Sequence, residues 1–191
     1  MEENEMKEKL WTPRYIFALL LVFAVNMGYT LLNSVMAIYG KILSSSEVMG
    51  GLLISVFTLS ALVARLFISK LNTRFSNKAI LSAGLAITLI ATVGYCTVKD
   101  ISLFLICRGL HGVGFGLGLT CATAICNEYV PSSRLAEGVG FTSSANTLAS
   151  AIGPTIALQI LGEKYTGFLS LFLLLLGISV VAFVCSFLIH S

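Results

Sequence analysis

Charge is what this chain has least of. Lys, Arg, Asp and Glu make up 11% of its 191 residues, under half of the roughly 25% found in soluble domains. With 57% hydrophobic residues, too little polar surface exists to face water. That excludes a cytosolic enzyme, a disordered tail and a nucleic-acid-binding module. A disulfide framework is missing too. The five cysteines, Cys96, Cys107, Cys121, Cys126 and Cys185, all lie in apolar runs, as small packing residues do, and hold no metal site. No Ser–His, paired-Asp or metal-ligand arrangement is present, so an intramembrane enzyme is the weakest reading. No phosphate-binding loop appears either, because the glycine-rich run at 109–118 has no strand before it. No cofactor is expected.

What is present is apolar length. Crossing about 30 Å of hydrocarbon takes roughly 20 helical residues, and six such stretches can be drawn, at 16–39, 48–68, 79–98, 101–126, 138–161 and 167–189. They are too long and too uniformly apolar for barrel strands, and unpaired backbone is not tolerated in lipid. The pattern predicts an all-α integral membrane protein, a multi-pass bundle over 14–191 in the cell membrane. Residues 1–13, with Glu2, Glu3, Glu5 and Glu8 against Lys7 and Lys9, read as a short cytoplasmic tail, not a cleaved signal. Pro13 suits the first turn of a helix. Lys7, Lys9, Arg14, Lys70, Arg74, Lys78 and Arg134 fall on one side of this layout, against Lys41, Lys99 and Lys164 on the other. The imbalance places both termini in the cytoplasm.

Within the spans the only formal charges are Arg65 and Arg108. Arg65, near a span end, reads as an arginine snorkelling to the headgroups. Arg108 is about 10 Å deep. It either faces a cavity or is a structural arginine bonded to helix carbonyls. Asn26, His111 and Asn146 reach about 12–15 Å depth from three helices. Tyr29 and Asn33 continue the Asn26 face, and Arg108 and His111 share one face at i, i+3. These six residues are the candidate substrate-binding set in a polar cleft walled by the first, fourth and fifth spans. The third and sixth spans carry no charge, Asn, Gln or His, and are expected to face lipid. Each Asn taken alone also reads as interhelical glue. His111 is the one group in the bundle that titrates near neutral pH, as a proton carrier or as a neutral, hydrogen-bonded ring.

Small-xxx-small pairs at Gly112–Gly116 and Gly114–Gly118 allow close helix approach. Gly153-Pro154 is expected to break the fifth span, as a packing irregularity or as a hinge.

Four segments carry a resemblance. Ser69-Lys70-Leu71-Asn72-Thr73-Arg74-Phe75-Ser76-Asn77-Lys78 follows G-x-L-A-D-R-x-G-R-K, with serine at both glycine positions and Thr73 at the acidic one. Arg108-Gly-Leu-His-Gly112-Val-Gly114 follows R-x-x-x-G-x-G. Pro131-Ser-Ser-Arg134-Leu-Ala-Glu137-Gly138 follows P-x-x-R-x-x-E-G. Ala149-Ser-Ala-Ile-Gly153-Pro154 follows G-x-x-x-G-P, with Ala149 at the first glycine. In this order and sidedness they resemble the N-terminal six-helix half of the major facilitator superfamily of secondary transporters.

The resemblance implies two inverted three-helix repeats, half of a twelve-helix fold. Aligning Gly51 with Gly140 also pairs Ser55 with Ser144, Thr58 with Thr147 and Leu59 with Leu148. It further implies alternating access, moving a small organic solute with a proton as candidate coupling ion, in an efflux-like antiporter. Leu71, Arg74 and Lys78 would form a cytoplasmic latch with Glu128 and Glu137, or be ordinary loop charges. No acidic residue lies in any span, so a carboxylate proton carrier must come from elsewhere. The partners implied are the bilayer, the solute and a second six-helix half, supplied by a copy of this chain or by a separate one. The competing reading is a truncated or regulatory subunit that keeps the fold without transporting.

Overall fold

The computed structural model describes residues 9–44 and 46–189. Lys7 and the acidic residues of the expected tail, Glu2, Glu3, Glu5 and Glu8, lie outside them. Among the described residues seven α-helices follow one another: α1 (Pro13–Asn33), α2 (Met36–Ser44), α3 (Glu47–Asn72), α4 (Asn77–Thr97), α5 (Ile101–Glu128), α6 (Leu135–Leu161) and α7 (Phe168–Leu188). A short 3₁₀ turn, Ser132–Arg134, leads into α6.

The helix starts follow local chemistry. Thr12 Oγ1 accepts from the Tyr15 N–H at 3.2 Å with Pro13 in the first turn, where a missing donor is harmless. Ser76 caps α4 through the Ala79 N–H. Asp100 caps α5 through the Ser102 and Leu103 N–H groups, each at 3.0 Å, satisfying two otherwise orphaned donors.

Several expectations need correction. The described residues just before Pro13 are packed: Leu10 is fully buried, and Trp11 meets Phe141 edge-on at 4.7 Å. The span expected over 16–39 is two helices, interrupted at Ser34 and Val35. There the Val35 N–H reaches Leu32 O, three residues back, while Ser34 Oγ donates to Leu31 O at 3.0 Å. A serine hydroxyl competing for helix carbonyls favours such a break. The break expected at Gly153-Pro154 is absent, because α6 runs through Pro154. Gly153 lies against Thr30, and Thr30 Oγ1 donates to Ala149 O at 3.0 Å. A hydroxyl from the neighbouring helix thus steadies the turn where proline withholds a donor.

The count of apolar spans also changes. Among the described residues five helices, α1, α3, α4, α5 and α7, are long and apolar enough to cross a membrane. The sixth candidate, α6, has 27 residues but too polar a composition. Ser143, Ser144, Thr147, Ser150, Thr155 and Gln159 all lie on its exposed surface.

Glycines set the spacing of the central helices. On one face of α5, Gly112 and Gly116 abut the Phe57 and Ala61 carbonyls of α3. On another, Gly114 meets the Gly84 carbonyl of α4. A Cβ at any of the three would collide with backbone, so the axes approach as closely as helices can. Around this slab α1 packs on α6, α5 and α7, and α4 packs on α7. The buried side chains form two clusters. One runs from Leu10 and Tyr15 to Ile125 and Cys126. The other is built from Leu31, Leu53, Tyr95, Phe104 and Phe172.

Candidate functional site

A cleft of about 410 Å³ opens between α1, α3, α5 and α6. From α1 come Asn26 and Tyr29, and from α6 comes Asn146; Phe115 and Leu119 of α5 form part of the floor. Asn26 Nδ2 donates to the Asn146 backbone carbonyl at 2.9 Å. That bond ties α1 to α6 and leaves Asn146 Oδ1 buried without a hydrogen-bond partner. Tyr29 meets both Phe57 (centroids 5.0 Å apart, 15° between planes) and Phe115 (4.6 Å, 29°), which touch each other at 5.4 Å, so the three rings form a cluster.

The fourth wall is α3, which sequence reasoning did not include. It contributes Phe57, Ala61 and Arg65 at i, i+4 and i+8, with Thr58 and Leu62 beside them. Arg65 lines the cleft, its guanidinium carbon 5.7 Å from the Phe115 ring centre. It sits seven residues before the end of α3, roughly 10 Å along the axis. Its spacing from Phe57 and Ala61 was the available signal, since such residues share a helix face.

The six expected substrate residues divide into two groups. Asn26, Tyr29 and Asn146 line the cleft. Asn33, Arg108 and His111 lie behind Phe57 in a closed polar knot. Arg108 is fully buried. Its Nε donates to Leu53 O at 2.9 Å and its Nη2 to Asn33 Oδ1 at 3.0 Å. The guanidinium stands 4.5 Å from the Phe57 ring centre. One carbonyl, one amide oxygen and one ring face hold the cation, while its buried Nη1 has no hydrogen-bond partner, an environment close to that of a structural arginine.

His111 Nδ1 lies 3.1 Å from the Tyr95 hydroxyl, and its ring meets Phe57 edge-on. Beside it is a void of about 20 Å³ bordered by Thr88 of α4 and Ser179 of α7. The Ser82 and Ser186 hydroxyls are 3.1 Å apart across the same two helices. The helices expected to face lipid thus turn hydroxyl groups inward, and Tyr95 of α4 completes the knot.

On the face carrying the α3–α4 turn, the acidic and basic groups have other partners than the expected ones. Glu137 is gripped by Arg134 through two bonds of 2.9 and 2.8 Å. Glu128 accepts from Asn77 Nδ2 at 2.8 Å, and Lys78 Nζ donates to Phe187 O at 3.3 Å. Among the described residues the ion pairs are Arg134–Glu137 and Lys41–Glu47, so neither Arg74 nor Lys78 meets Glu128 or Glu137 in this conformation. Leu71 and Arg74 line a surface cavity with Phe67, Lys70 and Phe75. Among the described residues no cluster of three or more His, Cys, Asp or Glu could hold a metal.

The family model for the Major Facilitator Superfamily matches residues 18–190. An uncharacterized MFS-type transporter of Methanocaldococcus jannaschii is 29% identical over 143 residues, 75% of this chain and 37% of that protein. Multidrug resistance protein 2 of Bacillus subtilis is 26% identical over 151 residues, 78% of this chain and 38% of that protein. Quinolone resistance protein NorA of Staphylococcus aureus is 26% identical over 135 residues, covering 71% and 35% respectively. The matched stretch spans little more than a third of each relative.

Proposed function

The chain belongs to the major facilitator superfamily, and from that premise we propose that residues 14–191 form one six-span half of a secondary transporter. It moves a small organic solute by alternating access, in the efflux direction and coupled to protons. The observation that carries this reading is the cleft itself. Asn26, Tyr29 and Asn146 converge on a concave, part-polar surface of about 410 Å³, within the range of small-molecule sites.

The polar face of α6 supports counting it as a sixth span. A helix this polar is better accommodated against a second half or a water-filled cavity than against lipid. Packing supports two inverted repeats of three spans. The first span of each repeat, α1 or α5, packs on the middle span of the other, α6 or α3, and the third spans, α4 and α7, pack together. The second half would come from a copy of this chain or from a separate one, and would complete the cleft. It would also supply the carboxylate that carries the proton, since His111 is enclosed by Tyr95 and Phe57. Arg74 and Lys78 would engage Glu128 and Glu137 in the alternate conformation, as exposed pairs worth about 0–1 kcal/mol. The excess of Lys and Arg on one side supports cytoplasmic termini.

Reconstitution in liposomes tests the proposal. Solute flux should depend on an imposed pH gradient and fall about tenfold in the Asn26→Ala/Asn146→Ala double variant, the loss expected when polar contacts to a solute are removed. Flux that is indifferent to both substitutions overturns the cleft assignment.

A further inference from the structure

The charges around the cleft are of one sign. Arg65 is the one ionised side chain lining it, and among the described residues it has neither an ion-pair partner nor a hydrogen bond. The five described acidic residues, Glu47, Asp100, Glu128, Glu137 and Glu163, all lie outside the lining. A second cation, Arg108, stands directly behind the wall, over the Phe57 ring. Both phenylalanine rings of the lining already meet a guanidinium group, Phe57 that of Arg108 and Phe115 that of Arg65. Ala61, Leu62 and Leu119 add apolar surface to the lining.

We infer that this cleft selects amphiphilic organic anions, an apolar or aromatic body bearing one carboxylate, with Arg65 as the residue that recognises the charge. The inference rests on reading the cleft as the solute site. An anion entering there gains a charge-assisted bond to Arg65 and an apolar surface for its body. A cation of the same shape meets two positive charges and no carboxylate of this chain, and repulsion of that kind is a direct source of selectivity.

Three probes sharing one ring system test it: 2-naphthoate, neutral 2-naphthamide and 2-naphthyltrimethylammonium, each titrated onto the chain in lipid nanodiscs. The naphthoate should bind at least about tenfold tighter than the ammonium, the scale of one charge-assisted bond. Arg65→Gln should remove that difference, Arg65→Lys should keep most of it, and Arg65→Glu should reverse it. Arg65 is exposed, so these variants should keep the fold, which helical circular dichroism checks. Thr58→Trp, which fills the cleft, serves as the site control.

Equal or tighter binding of the ammonium, or naphthoate affinity unchanged in Arg65→Gln, overturns the inference. If that binding is lost in Thr58→Trp, the cleft remains the solute site and the charge assignment alone fails. If no probe binds, or Thr58→Trp affects none of them, the cleft reading fails together with the inference.

Discussion

Arg65 and Arg108 are the same side chain, carried by adjacent walls of one bundle, and are put to opposite uses. Arg108 is fully enclosed, held by Leu53 O, Asn33 Oδ1 and the Phe57 ring. Arg65 lines the cleft about two helical turns beyond Phe57 on α3, exposed, with the Phe115 ring beside it. Depth does not distinguish them, since each sits about two helical turns from a helix end. What differs is the supply of acceptors. Where two neighbouring helices offer a carbonyl and an amide oxygen, a guanidinium becomes structure. Where a neighbour offers only a ring, the charge stays available for a ligand.

Substitutions can break or sharpen this contrast. The largest effect belongs to the enclosed side: Gly112→Leu forces a side chain into the Phe57 carbonyl, and destabilisation of about 3 kcal/mol or more is expected, read from unfolding in mixed detergent micelles. Arg108→Ala follows at about 2–4 kcal/mol, from a cavity and an abandoned amide, whereas Arg65→Ala should stay within about 0.5 kcal/mol in the same assay. Equal losses at the two arginines would erase the distinction. Thr30→Val removes the donor to Ala149 O next to Gly153, and about 0.5–1 kcal/mol is expected.

The smallest effect lies at the remote α2–α3 turn, where the hydrogen bond to Glu47 raises the Lys41 pKa. A raised lysine adds stability that is complete below its ordinary pKa and is lost as pH climbs through the raised value. NMR titration of Lys41 should therefore return to the ordinary lysine range in Glu47→Gln, with Arg65 and the cleft undisturbed.

Composition and periodicity were enough for the helical membrane class and for most helix positions, because long apolar runs have few other solutions. Asn26 and Asn146 were placed by depth, since a polar group set mid-span must find company, and Tyr29 by its i+3 spacing from Asn26. The position of Arg65 in the cleft lining was not legible. Counting from a span end measures distance to the headgroups, while the direction of a side chain depends on which helix lies opposite. Arg108 was ambiguous for the same reason, as its acceptors sit 55 and 75 positions away in sequence. The break at Ser34 and the unbroken passage through Pro154 share a lesson. Hydroxyl groups decided both, one competing for its own helix's carbonyls and one steadying a neighbour's.

The glycine faces of α5 bear on how the molecule can move. At Gly112, Gly116 and Gly114 the backbones of α3 and α4 lie directly against α5, with no α5 side chain at those points to act as lubricant. Any sliding would drive one peptide ridge over the next. The three must travel as a single plank, which leaves deformation to places without such contacts, such as the interruption between α1 and α2.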